Sequence, residues 1–338
     1  MTKMFNVAIV GATGLVGATV LSILEERHFP IKKLFLLASQ RTAGETRYYN
    51  HQLHVVEDIA TFDFSQTQLC FFCVGNEVAE VYAPKAAALG NVVIDKSSHF
   101  RYDDDVPLIV PEVNEDAISL YKKRNIIANP NCNTIPIVMA LKPIYDAVGV
   151  ARINVATYQS VSGSGKDAMT ELAEQTSQVL KAEAIHPKVY SQQIAFNVLP
   201  HIDKFESNGY TREEMKVVWE TQKILNDTQI AVNPTAVRVP VFIGHSAAVH
   251  IETKEKISVE QATQLLGKAP GIKLITGEYP YPTPVKEAAG TDDVFVGRIR
   301  EDLSHPKGLN LWVVADNLRK GAALNAIQVA EKLVRFYL

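Results

Sequence analysis

The chain has 338 residues, with 47% hydrophobic and 21% charged, which is long for one domain and suits two with ordinary cores. A net charge of −3 without a basic block excludes a nucleic-acid surface, and no apolar run reaches the roughly 18 residues of a membrane helix. Three cysteines make no disulfide framework, and an apolar strand beginning within five residues of the start leaves no room for a signal peptide, so a soluble cytoplasmic protein is expected.

Residues 4–10 read as a continuous apolar strand, 14–26 as a helix and 34–38 as the next strand. After a polar stretch come a strand at 69–74, a helix at 78–89, and strands at 92–94, 108–110 and 126–128. An apolar helical run follows at 135–148. Short apolar strands alternating with helices imply an α/β, Rossmann-like, doubly wound parallel sheet. Past residue 150 the strands (151–159, 246–253, 294–300, 310–315) lengthen and alternate in polarity, with helices at 167–182, 212–226 and 259–266. This is the texture of an α+β domain with a mainly antiparallel sheet. A capped amphipathic helix at 317–336 is expected to return to the first domain. The division is therefore 1–132, completed by 317–338, and 133–316.

The first strand runs directly into Gly11-Ala12-Thr13-Gly14-Leu15-Val16-Gly17 and a helix. Glycines here permit a tight turn and close backbone approach, and the helix N-terminus receives a pyrophosphate. The spacing is a G-x-x-G-x-x-G variant of the dinucleotide fingerprint. An NAD site wants an acidic residue about 20 positions on, at the end of the second strand. That strand ends Ala38-Ser39-Gln40-Arg41-Thr42-Ala43-Gly44, with hydroxyls and an arginine suited to a 2′-phosphate. NADP(H) is the expected cofactor.

Cys132 lies in Asn129-Pro130-Asn131-Cys132-Asn133-Thr134, between a short strand and a helix. A helix N-terminus offers unpaired N–H groups and the positive end of the dipole, both favouring a thiolate nucleophile. Taken alone, this position does not separate a catalytic thiol from a small residue at a turn. Cys70 and Cys73 share a C-x-x-C spacing within an apolar strand, where residues three apart face opposite sides, so both read as inert core residues. No second pair completes a zinc site, and no metal is expected. His245, after Gly244 and before a strand, is a candidate acid/base for the thiol. Arg101, near the C-terminal edge of the parallel sheet, suits bidentate grip on a phosphate or carboxylate. Glu220 and Lys223 lie i, i+3 on one helix face, where they reach one site or form a surface ion pair. Ser162-Gly163-Ser164-Gly165-Lys166 fails as a P-loop, because Ser160 replaces the first glycine and Asp167 the final Ser/Thr.

These motifs together resemble bacterial aspartate-β-semialdehyde dehydrogenase over essentially the whole chain, through 11–17, 38–44, 97–101, 129–134, 159–165, 219–224, 238–246 and 316–322. The resemblance implies NADPH-dependent reduction of L-aspartyl-4-phosphate to the semialdehyde and phosphate, a step towards lysine, threonine, methionine and diaminopimelate. It implies that Cys132 attacks the acyl phosphate to form a thioacyl enzyme, with His245 as acid/base, Asn133 orienting the site and Gln159 contacting the acyl group. Arg238 would pair with the substrate α-carboxylate and Glu220 with its ammonium. Arg101 and Lys223 would hold phosphate, with Lys216 a second candidate. Gly11, Thr13, Gly14, Leu15, Val16, Gly17, Ser39, Arg41, Thr42, Ser162, Gly163 and Asn317 would meet the cofactor. Relatives form homodimers or tetramers through the second domain. An N-acetyl-γ-glutamyl-phosphate reductase shares this architecture, but its substrate lacks a free ammonium. Glyceraldehyde-3-phosphate dehydrogenase differs more in its loops, and a non-catalytic NADP-binding protein would leave Cys132 and His245 incidental.

Overall fold

The computed structural model describes residues 3–338. These form two compact units, one running up to Asn131 and rejoined by 322–338, the other spanning 132–321. The strands are β1 (Phe5–Val10), β2 (Ile31–Ala38), β3 (Thr46–Tyr49), β4 (Gln52–Asp58), β5 (Leu69–Phe72), β6 (Val92–Asp95), β7 (Ile126–Ala128), β8 (Val150–Gln159), β9 (Ala231–Arg238), β10 (His245–Thr253), β11 (Ile272–Leu274), β12 (Val294–Glu301) and β13 (Gly308–Ala315). The helices are α1 (Leu15–Glu26), α2 (Asn76–Ala88), α3 (Pro111–Asn114), α4 (Thr134–Val148), α5 (Lys166–Leu180), α6 (Arg212–Leu225), α7 (Val259–Lys268) and α8 (Leu324–Phe336). None is long and apolar enough to cross a membrane.

The first unit is a sheet of order β3-β4-β2-β1-β5-β6-β7, parallel except for the β3–β4 pair. Its central strands are apolar on both faces because both are covered. Val7, Ile9, Leu36, Phe71 and Ile94 pack with α1 and α8 in one cluster. Their alternate neighbours Ala8, Val10, Cys70 and Val93 are equally buried, and α2 packs against β5 and β6. Leu324, Ile327 and Leu333 of α8 are almost wholly buried, contributing roughly 2 kcal/mol each.

The second unit is a mixed sheet of order β11-β12-β13-β10-β8-β9, with the outer pairs parallel and the three inner pairs antiparallel. Helices α4, α6 and α7 pack together and against its strands. Asn154, His250 and Trp312 remain half-buried on β8, β10 and β13, while Tyr158 of β8 is exposed.

Several elements differ from the sequence expectation. The polar stretch before residue 69 holds the β3–β4 hairpin, whose turn residues Asn50 and His51 both have positive φ (47° and 62°). That is a two-residue hairpin turn with histidine where glycine usually marks it. β9 is hidden by Pro234, which the sheet tolerates because β9 is an edge strand. The 108–110 segment makes a single parallel bridge, Leu108 to Ala128, rather than a strand. The expected helix at 317–336 is interrupted: a wide π turn spans Arg319–Ala323, and only then does α8 begin.

Candidate active site

Four strands of the second sheet bring candidate site residues to one edge. β8, β9 and β13 run the same way, and β10, between β8 and β13, runs against them. β8 therefore ends on Gln159 directly beside Arg238, the last residue of β9. β10 starts on His245 opposite Ala315, the last residue of β13, and Asn317 follows two positions later.

His245 is almost fully buried. The backbone N–H of Ser160 donates to its Nδ1 at 3.0 Å, and the Ser160 hydroxyl lies at 3.0 Å from the same nitrogen. Asn317 ties this corner together. Its Oδ1 accepts from Gly244 N–H at 2.9 Å and sits 3.0 Å from Ser160 Oγ, while its Nδ2 donates to Ser162 Oγ at 2.9 Å. Arg238 donates from Nη1 to the Ser160 carbonyl at 2.7 Å. Its Nε, like His245 Nε2, is buried without a hydrogen-bond partner among the described residues. Both groups thus have donor or acceptor capacity left for a ligand. Gly163 lies against them, so a Cβ there would come within 3.0 Å of Arg238 Nη1 and 3.4 Å of the His245 ring. The 162–165 segment is a turn tied to Asn317 through Ser162.

Cys132 is partly buried and stands two residues before α4, as its sequence context suggested. Gly321 permits close packing on it, since a Cβ there would meet Cys132 at 3.1 Å. Asn133 Nδ2 lies 3.9 Å from the sulfur and donates to Glu213 Oε1 at 3.2 Å. Lys216 Nζ donates to Glu213 Oε2 at 2.9 Å and to Asp203 Oδ2 at 2.8 Å. Burial alone would lower the lysine's pKa, but Glu213 and Asp203 together hold it above its usual value.

In the first unit, a cavity of about 520 Å³ is lined by Gly11, Thr13, Gly14, Ser39, Arg41 and Thr42. Gly11 has φ +83°, and a Cβ on it would lie 2.4 Å from the Cys73 carbonyl. One on Gly17 would lie 2.2 Å from the Gly11 carbonyl. The variant glycine spacing thus answers two separate contacts. Leu15 and Val16 belong to the first turn of α1 and do not line the cavity. Arg101, also in this unit, is buried and donates to the carbonyls of Asn129 (3.0 Å) and Lys96 (2.8 Å).

Residues 6–121 match the family described as semialdehyde dehydrogenase, NAD binding domain, and 141–320 match semialdehyde dehydrogenase, dimerisation domain. An aspartate-semialdehyde dehydrogenase of Shewanella sp. (strain DB6705) is 60% identical over 337 residues, covering all of both chains. The crystal structure of aspartate semialdehyde dehydrogenase II from Vibrio cholerae, complexed with ASA, superposes with TM-score 0.98 at 57% identity, covering 99% of this chain and 100% of that one. The chain belongs to the aspartate-semialdehyde dehydrogenase family. It is an oxidoreductase with an NAD(P)-binding domain. A more distant family member, the Candida albicans enzyme, has a crystal structure with NADP and superposes with TM-score 0.78 at 25% identity over 98% of each chain.

Within this family fold, several site residues escape sequence reading. Glu213 is a carboxylate bonded to the Cys132 segment, and Glu220 lies fully buried on α6 two turns further on, about 10 Å along the axis. The Glu–Lys i, i+3 spacing occurs twice on this helix, at 213/216 and at 220/223, and periodicity selects a face but not a turn. Asp58 at the end of β4, Ile59 after it, and Tyr82 of α2 line the cavity of the first unit through strand order rather than sequence proximity. Cys70 is a core thiol, its pKa pushed up to about 12 by burial. Cys73 differs from the expectation: it lies past the end of β5 and lines the cavity, though burial holds its pKa near 12 too.

Burial, and then Arg238, push the His245 pKa from 6.5 down to about 3, against the opposing pull of Glu213 and a backbone hydrogen bond at Gly244. The folded value lies below the unfolded one, so this histidine's contribution to stability is full above pH 6.5 and is lost as pH falls towards 3. Between pH 7 and pH 4 the native protein is expected to lose on the order of 3 kcal/mol more stability than His245→Gln. Urea unfolding at both pH values reads the difference, and equal losses would show that His245 charges freely in the fold.

Proposed function

We propose that this enzyme uses NADPH and Cys132 to reduce L-aspartyl-4-phosphate to L-aspartate-4-semialdehyde, releasing phosphate. The observation that carries this reading is the convergence of Gln159, Arg238, His245 and Asn317 at one sheet edge, in the same unit as a thiol at a helix start. Cys132 attacks the acyl carbon, the C–O bond to phosphate breaks, and a thioester forms. NADPH supplies the hydride that reduces it. The glycine loop, Ser39, Arg41 and Thr42 would hold its ribose phosphate end, Arg41 being suited to a 2′-phosphate. Ser162, Gly163 and Asn317 are further cofactor candidates.

The substrate carries a carboxylate, an ammonium and a phosphoryl group. Arg238, buried with an unused donor, suits the α-carboxylate. Glu213, bonded to the residue after Cys132, and Glu220, buried further along the same helix, are the two carboxylates suited to the ammonium. Lys216, held charged beside Glu213, is a phosphate candidate alongside Lys223 and Arg101. Gln159 positions the acyl group, Asn133 bridges thiol and Glu213, and His245 offers Nε2 to the reacting carbonyl. The half-exposed sheet face carrying Tyr158 and Trp312 suits pairing with a second copy, in keeping with the domain's family description.

Purified protein given aspartate semialdehyde, phosphate and NADP is expected to generate NADPH absorbance, and Cys132→Ser to lose this by about a thousand-fold or more while still binding NADP. Turnover of N-acetyl-glutamate semialdehyde instead would reject the substrate. Arg41→Ala should weaken NADP roughly 10- to 100-fold and NAD much less, as read by cofactor titration; equal losses would remove its 2′-phosphate role. Glu213→Gln should lower kcat/KM for the semialdehyde roughly 10- to 100-fold. If instead a folded Glu220→Gln carries that loss and Glu213→Gln does not, the ammonium site moves to Glu220.

A further inference from the structure

A neutral imidazole holds one proton, and the surroundings of His245 decide which nitrogen carries it. Nδ1 receives the backbone N–H of Ser160 at 3.0 Å. A nitrogen whose lone pair accepts a fixed amide N–H has no room for a proton of its own. Turning the ring over would set Cδ2–H against that amide and leave a buried N–H unpaired. The Ser160 hydroxyl, 3.0 Å from Nδ1, directs its one proton to Asn317 Oδ1 at 3.0 Å and so pins the segment that carries this amide. The proton therefore belongs on Nε2, the buried nitrogen left without a partner among the described residues. The charged groups acting on the ring are Arg238 and Glu213, and burial together with Arg238 keeps it neutral.

We propose that Ser160 is a positioning residue that holds His245 as the Nε2–H tautomer, so that His245 enters the reductive step as a hydrogen-bond donor to the acyl oxygen. This rests on the reaction assigned above and adds a constraint to it. The chemistry balances without a proton change on His245. Hydride adds to the thioester carbon, the carbonyl pair moves onto oxygen, and Nε2–H stabilises that oxyanion. The oxyanion collapses, the C–S bond breaks, and its electron pair leaves with sulfur as the Cys132 thiolate, the form that attacks the next acyl phosphate. The one proton consumed per turnover is taken from solvent by the expelled phosphate.

Nuclear magnetic resonance of the whole protein labelled with ring-15N histidine tests this without any activity measurement. The His245 signals, identified by their loss in His245→Gln, are expected to show a proton bonded to Nε2, a bare hydrogen-bonded Nδ1, and no titration between pH 5 and 8. A proton on Nδ1, or a titration in that range, would overturn the tautomer. Ser160→Ala should lower kcat about tenfold with KM for the semialdehyde within about twofold, and Ser160→Thr, which keeps the hydroxyl, should recover most of it. Unchanged kcat in Ser160→Ala would overturn the role of Ser160. Absence of dehydrogenase activity would instead reject the assigned reaction while leaving the tautomer readable.

Discussion

The second unit depends on the direction of β10. Because it runs against both β8 and β13, its first residue stands where its neighbours finish, and one sheet edge gathers side chains far apart in sequence. The register is held by Ile153, Val155, Val249, Ile251 and Leu311, all nearly inaccessible to solvent. A one-residue slip would turn every one of them to the opposite face. The apolar core thereby fixes which polar groups meet at the edge, and Asn317 locks the corner by bonding to the 160–162 turn and to Gly244.

That corner is poorly balanced by itself. Arg238 is almost wholly buried and satisfies only part of its donor set with the Ser160 carbonyl. Leaving charged donors unpaired away from water is costly, so a carboxylate arriving there replaces an unfavourable arrangement with a favourable one. Glu213 and Lys216 are the opposite case. Each already has a partner of opposite charge, so a ligand must exchange contacts rather than simply add them. Selectivity follows from this contrast: a group that merely fits is not enough if it cannot take over the bonds it displaces.

The parts most legible in the sequence were those set by local chemistry. The glycine loop is dictated by two backbone contacts that leave no space for a side chain, and the Cys132 position by the boundary between β7 and α4. What remained hidden depends on neighbours supplied by the fold. The Asn50–His51 turn lacks its usual glycine because histidine adopts the left-handed conformation there. Pro234 disguises a strand that only its edge position makes acceptable. Glu213 and Glu220 share one stripe of α6, and the approach of Asn133 to Glu213 is set by the fold rather than by spacing. Asp58 and Tyr82 reach the cavity through strand order and helix placement, which periodicity does not encode.

The return of 322–338 to the first unit has a consequence for the order in which the molecule is assembled during synthesis. The sheet face built from Val7, Ile9 and Phe71 is completed by Leu324, Ile327 and Leu333, which leave the ribosome after the whole second unit. The cofactor-binding unit emerges first yet must wait for α8 before that apolar face is covered. Nascent chains therefore expose an unfinished hydrophobic surface while nearly two hundred further residues are made, a window open to aggregation or chaperone capture.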